Sequence, residues 1–396
     1  MIKNEIAKPN TKMKTIICHS FPAWDTPYIK STVELMTRLA GHNRVIFIDY
    51  HYTIKDVFRH PNAPKAQLLG KTSRWRKIET EHGQIEVYNS LPVIPVNWVN
   101  NPFLFNLLMS LNAWLVGFSI KKIIRQLDRE QTVLVNAFNP IYGWFTKKYW
   151  AGIPTTYYCY DEIGGTEWAS KWGSIYETKY AQQANEVITS SSHLKEKFDR
   201  LHSKVACVKN GVNLSVFKQE KIETTHNHSI GYIGAIDNRV DLDLLKNLAE
   251  ALPEYKIEML GPLKVELPAE MPTNVVCLGA LAQSSIPEIA MNWDACIIPF
   301  VKNKLTKAIY PLKINEYLAM GKPVITTNFS DLSDFEQLIS IAANAEDFIT
   351  ATKKELRYNN RIKIQKRIEF SQQNSWESRA KQFNELIANI EPVQVG

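Results

Sequence analysis

Short apolar, β-branched runs alternate with amphipathic periods along nearly the whole chain. "MKTIICHS" predicts a first strand, "YIKSTVELMTRLA" an amphipathic helix and "RVIFIDY" the next strand. Residues 55–92, with their Pro and Arg/Lys clusters, predict irregular structure, and an apolar helix is expected at 103–127, running into the basic "KKIIRQL". Further strands follow at "TVLVNAF", "PTTYYCYDE", "EVITSS" and "KVACVKNG", with helical periods such as "YETKYAQQA" and "SSHLKEKFDRL" between them. At 213–229 the periodicity disappears. A second series then opens with strand "SIGYIGAI", helix "LDLLKNLAEAL" and strand "KIEMLG", and runs on to "DACIIPF" and "PVITT". Strands alternating with helices in this way predict parallel sheets covered on both faces.

The 396 residues are too many for one ordinary core and suit two domains. The expected division is residues 1–212, a linker at 213–229, residues 230–370, and a terminal helix in 371–396 with Trp376, Phe383, Ile387 and Ile390 on its apolar side. The expected class is α/β: two Rossmann-like sheets facing a cleft.

The five cysteines are scattered, with no Cys-x-x-Cys, which indicates neither a disulfide framework nor a zinc site. The polar N-terminus lacks the long apolar core of a signal peptide, so a cytoplasmic location is expected. "FLFNLLMSLNAWLVGFSI", residues 103–120, is interrupted by Asn106, Ser110, Asn112 and Ser119. It therefore reads as a buried or interfacial helix rather than a bilayer span.

Charge changes the picture. Residues 1–200 hold 25 Lys and Arg against 17 Asp and Glu, and the remainder holds 22 against 23. A basic first half favours an anionic partner: acidic lipid headgroups or phosphorylated acceptors. Nucleic acid is not expected, because no zinc finger, recognition helix or RNA-binding aromatic motif stands out.

The candidate chemistry starts at "YPLKINEYLAMGKPVITT", residues 310–327. Pro311 and Gly321 predict a helix over 311–320. Lys313 lies in its first turn, where the helix dipole disfavours a cation, and Lys302, Lys304 and Lys307 precede it. A diphosphate at the helix N-terminus would resolve that conflict, with Glu316 one turn on to accept from sugar hydroxyls. The same letters also fit an i,i+3 ion pair on a solvated face. In "IGYIGAIDNRVDLDLL", Gly234 would let a ligand approach the backbone and Arg239 could hold a phosphate, although a plain turn with a surface Arg fits too. Gly279 marks another strand end at the carboxyl edge, where ligands of open parallel sheets collect. In the first half, Asp161 and Glu162 of "YYCYDEIGG" follow a strand and could take a proton from a hydroxyl, or simply cap the next helix. His19, Trp24 and Asp25 fall in the first strand-to-helix loop.

These stretches, together with "VKNGVNLSVF", "DACIIPF" and the terminal "SWESRA", resemble the GT-B class of glycosyltransferases. The likeness is to the GT4-like bacterial group that builds cell-surface polysaccharides, in particular teichuronic-acid and xanthan-type transferases. The resemblance implies a GT-B fold whose terminal helix crosses back to the first domain. It also implies a nucleotide-sugar donor, UDP-sugar favoured, held by Tyr310, Pro311, Leu312, Lys313, Arg239 and Glu316, with no metal or other cofactor. A lipid-linked or oligosaccharide acceptor would enter over the basic N-terminal domain, where Asp161 would be the base, and the enzyme would be peripheral to the membrane. Many retaining members carry a Glu eight positions before the one matching Glu316, whereas here that position is Ala308, which leaves the stereochemistry open. Alternatives on the same plan are a sugar-nucleotide epimerase and a non-catalytic sugar-nucleotide-binding relative.

Overall fold

The computed structural model describes residues 13–26, 30–165, 169, 171–218 and 226–390. Part of the expected linker, 219–225, and the last residues, 391–396, lie outside the described residues.

Two sheets form, one from each hydrophobic series. The first comprises β1 (Thr15–Ser20), β2 (Arg44–Ile48), β3 (Trp75–Thr80), β4 (Gly83–Tyr88), β5 (Thr132–Ala137), β6 (Thr155–Cys159), β7 (Glu186–Thr189) and β8 (Val205–Cys207). Their order is β3-β4-β2-β1-β5-β6-β7-β8. The second comprises β9 (Ser229–Ile233), β10 (Lys256–Leu260), β11 (Val275–Gly279), β12 (Ala295–Ile298), β13 (Val324–Thr327) and β14 (Ser340–Ala342), in the order β11-β10-β9-β12-β13-β14. Strand order reverses at β1/β5 in the first sheet and at β9/β12 in the second. Ligands of open α/β sheets gather outside the carboxyl ends at such switch points. The central strands are buried on both faces, as their unbroken Val/Ile runs require.

Residues 55–92 correct the sequence expectation of irregular structure. They hold two short helices, Ile54–Arg59 and Lys65–Leu68, and the hairpin β3–β4, the antiparallel pair at the edge of the first sheet. The hairpin signal lies in the alternation of "WRKIET" and "GQIEVY" across a two-residue loop, with Thr80 paired to Gly83.

Helix Pro102–Ile124 buries Phe105, Met109, Ala113, Val116, Ile120 and Ile123 against the first domain. Its opposite face leaves Phe103, Leu107, Leu111, Trp114 and Phe118 exposed. Among the described residues it is the one helix long and apolar enough to cross a membrane by length and composition. Helix Trp376–Ala388 leaves the second domain and packs Trp376, Ala380, Phe383 and Ile387 into the core of the first. Each buried aromatic or Ile there contributes about 1.5–3 kcal/mol. Lys14 Nζ donates to the Ile387 and Ala388 carbonyls (3.2 and 2.7 Å), a cation placed at the negative end of that helix. The first sheet and the terminal helix are thus one packed unit.

Candidate functional site

The cleft helix spans Leu312–Ala319, one residue shorter at each end than expected. Pro311 is its N-cap at φ −77°, and Gly321 ends it at φ +69°, a left-handed value that glycine adopts without strain. Ile314, Tyr317 and Leu318 anchor it in the second core. The Tyr317 hydroxyl accepts from the Ile233 amide at 2.7 Å, which ties the helix to the end of β9 and so to the β9/β12 switch point.

Lys313 therefore sits over that strand end. Its ammonium lies 5.6 Å from the Tyr232 ring centroid and 5.2 Å from that of Phe300. Gly234, at φ +137°, makes room: a Cβ there would lie 2.3 Å from Lys313 Cε. Gly231, three positions earlier, is buried under the Trp293 ring and serves packing. Burial and the Arg239 guanidinium lower the Lys313 pKa, while burial raises that of Glu316, against the pull of Lys313 and with a push from Glu34. No carboxylate lies within ion-pair distance of the Lys313 ammonium among the described residues. Arg239 is held by Asp237 through two bonds, Nε to Oδ1 at 2.9 Å and Nη2 to Oδ2 at 2.7 Å. Two cations thus lie near one another at the strand end, Arg239 paired with Asp237 and Lys313 outside ion-pair distance of any described carboxylate, a group free to meet a phosphate.

Asp161 approaches from the other sheet, on the loop after β6. It is half-buried, and burial raises its carboxyl pKa, with the charge of Arg239 across the cleft pulling the other way. The structure thus brings together Gly234, Arg239, Lys313 and Glu316 from one domain and Asp161 from the other.

It separates the remaining expected residues from that cluster. Glu162 is tied into the first domain: its Oε1 accepts from Lys197 Nζ at 2.9 Å and from the Gly164 amide at 3.2 Å. Burial pushes its pKa up, but these bonds outweigh it and leave it lowered, so Glu162 is an anchor of the loop and a poor proton acceptor. Lys197 also holds Glu177 at 2.7 Å, and Glu177 accepts from Tyr157. Tyr310 packs its ring on Phe335, and its carbonyl accepts from Asn210 Nδ2 at 3.2 Å. The Leu312 side chain packs against the first domain's core. Gly279 is exposed at the end of the edge strand β11, two strands from β9. Lys302, Lys304 and Lys307 are exposed, the last two on a short helical turn capped by Asn303, instead of converging on Lys313. His19 is buried, its Nε2 2.7 Å from that of His51, and burial lowers its pKa to about 4.

Position 308 has a structural explanation. Ala308 is fully buried in the aromatic cluster of the first domain, with Phe138, Tyr157 and Ile163, and its carbonyl accepts from Ser191 Oγ at 2.9 Å. This turn docks across the cleft and buries its side chain in the first domain's core. Ala308→Glu would bury an unpaired carboxylate and is expected to destabilise the protein by on the order of 3 kcal/mol, read as a drop in denaturant midpoint. An unchanged midpoint would contradict the packing.

Comparison with known proteins is informative at this point. Residues 227–357 match the family model described as Glycosyl transferases group 1. The solved structure of the trehalose-6-phosphate synthase OtsA superposes with a TM-score of 0.65 at 9% identity, covering 96% of this chain and 100% of that one. Anabaena HepE in complex with UDP and glucose gives 0.60 at 13% identity, covering 96% and 100%. The likeness to these structures shows a GT-B fold. A curated relative is TuaH of Bacillus subtilis (strain 168), named as a candidate teichuronic acid biosynthesis glycosyltransferase. It is 26% identical over 178 residues, a match spanning 41% of this chain and 45% of that protein, less than half the length of either.

The site also holds residues that sequence reasoning missed. Asp237 lies two positions before Arg239, a local signal available in "IDNR". Lys197 pairs over a separation of 35 residues with Glu162, and Glu34 reaches Asn213 at 3.3 Å over 179. No local pattern announces either. Lys30 and Lys264 approach across the cleft, and after burial it is this like charge that lowers the Lys30 pKa.

Proposed function

We propose that this GT-B protein transfers a sugar from a nucleoside-diphosphate donor, UDP-sugar favoured, to a lipid-linked or saccharide acceptor in cell-surface polysaccharide synthesis. The observation that carries the reading is the convergence of Lys313, Arg239 and the cleft-helix N-terminus from one sheet on Asp161 from the other. Lys313, Arg239 and the first-turn amides would stabilise the leaving diphosphate, and Glu316 would accept from sugar or ribose hydroxyls. Asp161, on the acceptor side, would take the proton of the attacking hydroxyl, which favours inversion. The residues present supply the charge stabilisation themselves, and we propose no metal. UDP in HepE and UDP-2-fluoro glucose in the E. coli trehalose-6-phosphate protein support a uridine donor. The domain division expected from sequence, with the donor held by 230–370 and the acceptor by 1–212, is part of this proposal.

Incubation with labelled UDP-, GDP- and dTDP-sugars and lipid-linked acceptors tests the reading. Transfer supports it. Acceptor-independent conversion of the donor sugar would instead indicate an epimerase, and tight donor binding without turnover a non-catalytic relative.

A cytoplasmic, membrane-peripheral location completes the proposal. The exposed stripe Phe103, Leu107, Leu111, Trp114 and Phe118 ends at exposed Lys121, Lys122 and Arg125. Apolar side chains flanked by cations suit an anionic bilayer surface. The protein is expected to sediment with phosphatidylglycerol-containing vesicles at low salt and to be released as salt rises. Absence of sedimentation, or binding unaffected by Trp114→Glu with Phe118→Glu, would contradict this.

A further inference from the structure

The first domain contains a cavity of about 620 Å³ at the carboxyl ends of β1, β2 and β5, the β1/β5 switch point of its sheet. Its walls include Phe21, Tyr142 and Trp172 with the inner face of helix Pro102–Ile124, represented by Phe105 and Met109. The size falls in the roughly 300–1,000 Å³ range of small-ligand sites. The backbone at the switch point is held in an unusual state: Phe138, directly after β5, has φ +55°, a left-handed value that bulky L-residues rarely adopt.

Several of the polar groups lining the cavity are already engaged. Both His51 ring nitrogens are occupied, by His19 at 2.7 Å and Ser90 at 2.9 Å. Trp172 Nε1 donates to the Val99 carbonyl at 3.0 Å, Asn139 Nδ2 to the Ser20 carbonyl at 3.2 Å, and Thr53 Oγ1 to Asp56 at 2.8 Å. With these groups engaged and Ile94, Val96, Phe105, Met109 and Ile141 forming much of the wall, the lining suits an apolar occupant. The helix that forms one wall exposes its apolar stripe on the other side, so the cavity lies directly beneath that face. The single cation in the lining, Lys171, is exposed and bonded to the Asn100 side chain. Phe21 contacts Phe138 at 6.2 Å between ring centroids, and Phe138 contacts Tyr160 at 4.7 Å, one residue before Asp161.

We propose that this cavity receives the head-proximal part of an apolar chain carried by a lipid phosphate acceptor, with Lys171 at its rim meeting the phosphate. The proposal rests on the glycosyltransferase reading for the word acceptor, but the cavity can be tested without turnover. Titration calorimetry of the full chain with farnesyl phosphate below its aggregation threshold is expected to show saturable binding. Farnesol should bind more weakly, and Lys171→Ala should weaken farnesyl phosphate several-fold while leaving farnesol unchanged. Met109→Trp fills the cavity and should cost at least about tenfold in affinity; should it not fold, Val96→Phe at another wall serves the same purpose. Dodecyl phosphate run in parallel supports the proposal whichever chain binds better, and tells a linear from a prenyl occupant. No saturable binding by the wild type, unchanged affinity in a folded filled variant, or full competition by inorganic phosphate would each overturn it. UDP, GDP and dTDP titrated into the same samples separate the two claims. Failure of UDP, GDP and dTDP alike to bind the wild type would overturn the transferase reading and leave the cavity result standing.

Discussion

Asp161→Asn is expected to lower kcat by about 10³-fold, within the roughly 10²–10⁴-fold typical of removing a general base. UDP affinity should be retained or slightly raised, because the lost carboxylate faces Arg239, a group assigned to the diphosphate. Asparagine preserves shape and the bond that Asp161 accepts from the Glu162 amide at 2.8 Å, so the loop should hold its course. The pH profile supplies a second readout. A base must be ionised, and burial raises the Asp161 pKa above the ordinary aspartate value of about 3.9. Activity should therefore fall as pH drops through that raised value, and the residual activity of Asp161→Asn should lack this acid limb. Glu162→Gln is the contrasting variant: it breaks the Lys197 pair and should reduce stability more than the chemical step. A wild-type rate in folded Asp161→Asn would remove this residue from the mechanism.

Lys313→Ala is expected to weaken UDP binding by about 10–100-fold, the loss of a charged hydrogen bond worth roughly 1.5–3 kcal/mol. The drop in kcat/KM should be larger if the ammonium also stabilises the leaving group. Because burial and Arg239 lower the Lys313 pKa, the free protein loses this charge earlier in an alkaline titration than an ordinary lysine would. A bound diphosphate raises that pKa again. UDP binding at alkaline pH should consequently take up a proton, visible as a calorimetric enthalpy that varies with buffer ionisation enthalpy, and Lys313→Ala should abolish the variation. Equal UDP affinity in the two proteins would move the diphosphate elsewhere.

Most of the fold was legible because the first-order signal, β-branched runs alternating with amphipathic helices, repeats over both halves. The β3–β4 hairpin was obscured by the basic and Pro-rich residues around it, although its alternation was present. In the candidate site, Lys313 stood out because its conflict with the helix dipole is local, and the structure links it to Gly234, where a Cβ would lie 2.3 Å from Lys313 Cε. Glu162 misled because adjacent carboxylates look alike in a sequence. They differ in their partners: Glu162 pairs with Lys197, which arrives from a helix 35 residues away. Ala308 read as a missing functional carboxylate, whereas the structure shows a packing requirement at the contact between domains. Such contacts join segments more than 100 residues apart, as Ser191 and Ala308 do, and leave no period in either segment.

The most direct test of the central claim, a nucleoside-diphosphate site at the second sheet's switch point, is a calorimetric titration of UDP into the wild-type chain and the Lys313→Ala, Glu316→Gln double variant. The account predicts saturable one-to-one binding by the wild type and at least a tenfold loss in the folded double variant. Absence of binding by the wild type, or identical affinity in both, would contradict it.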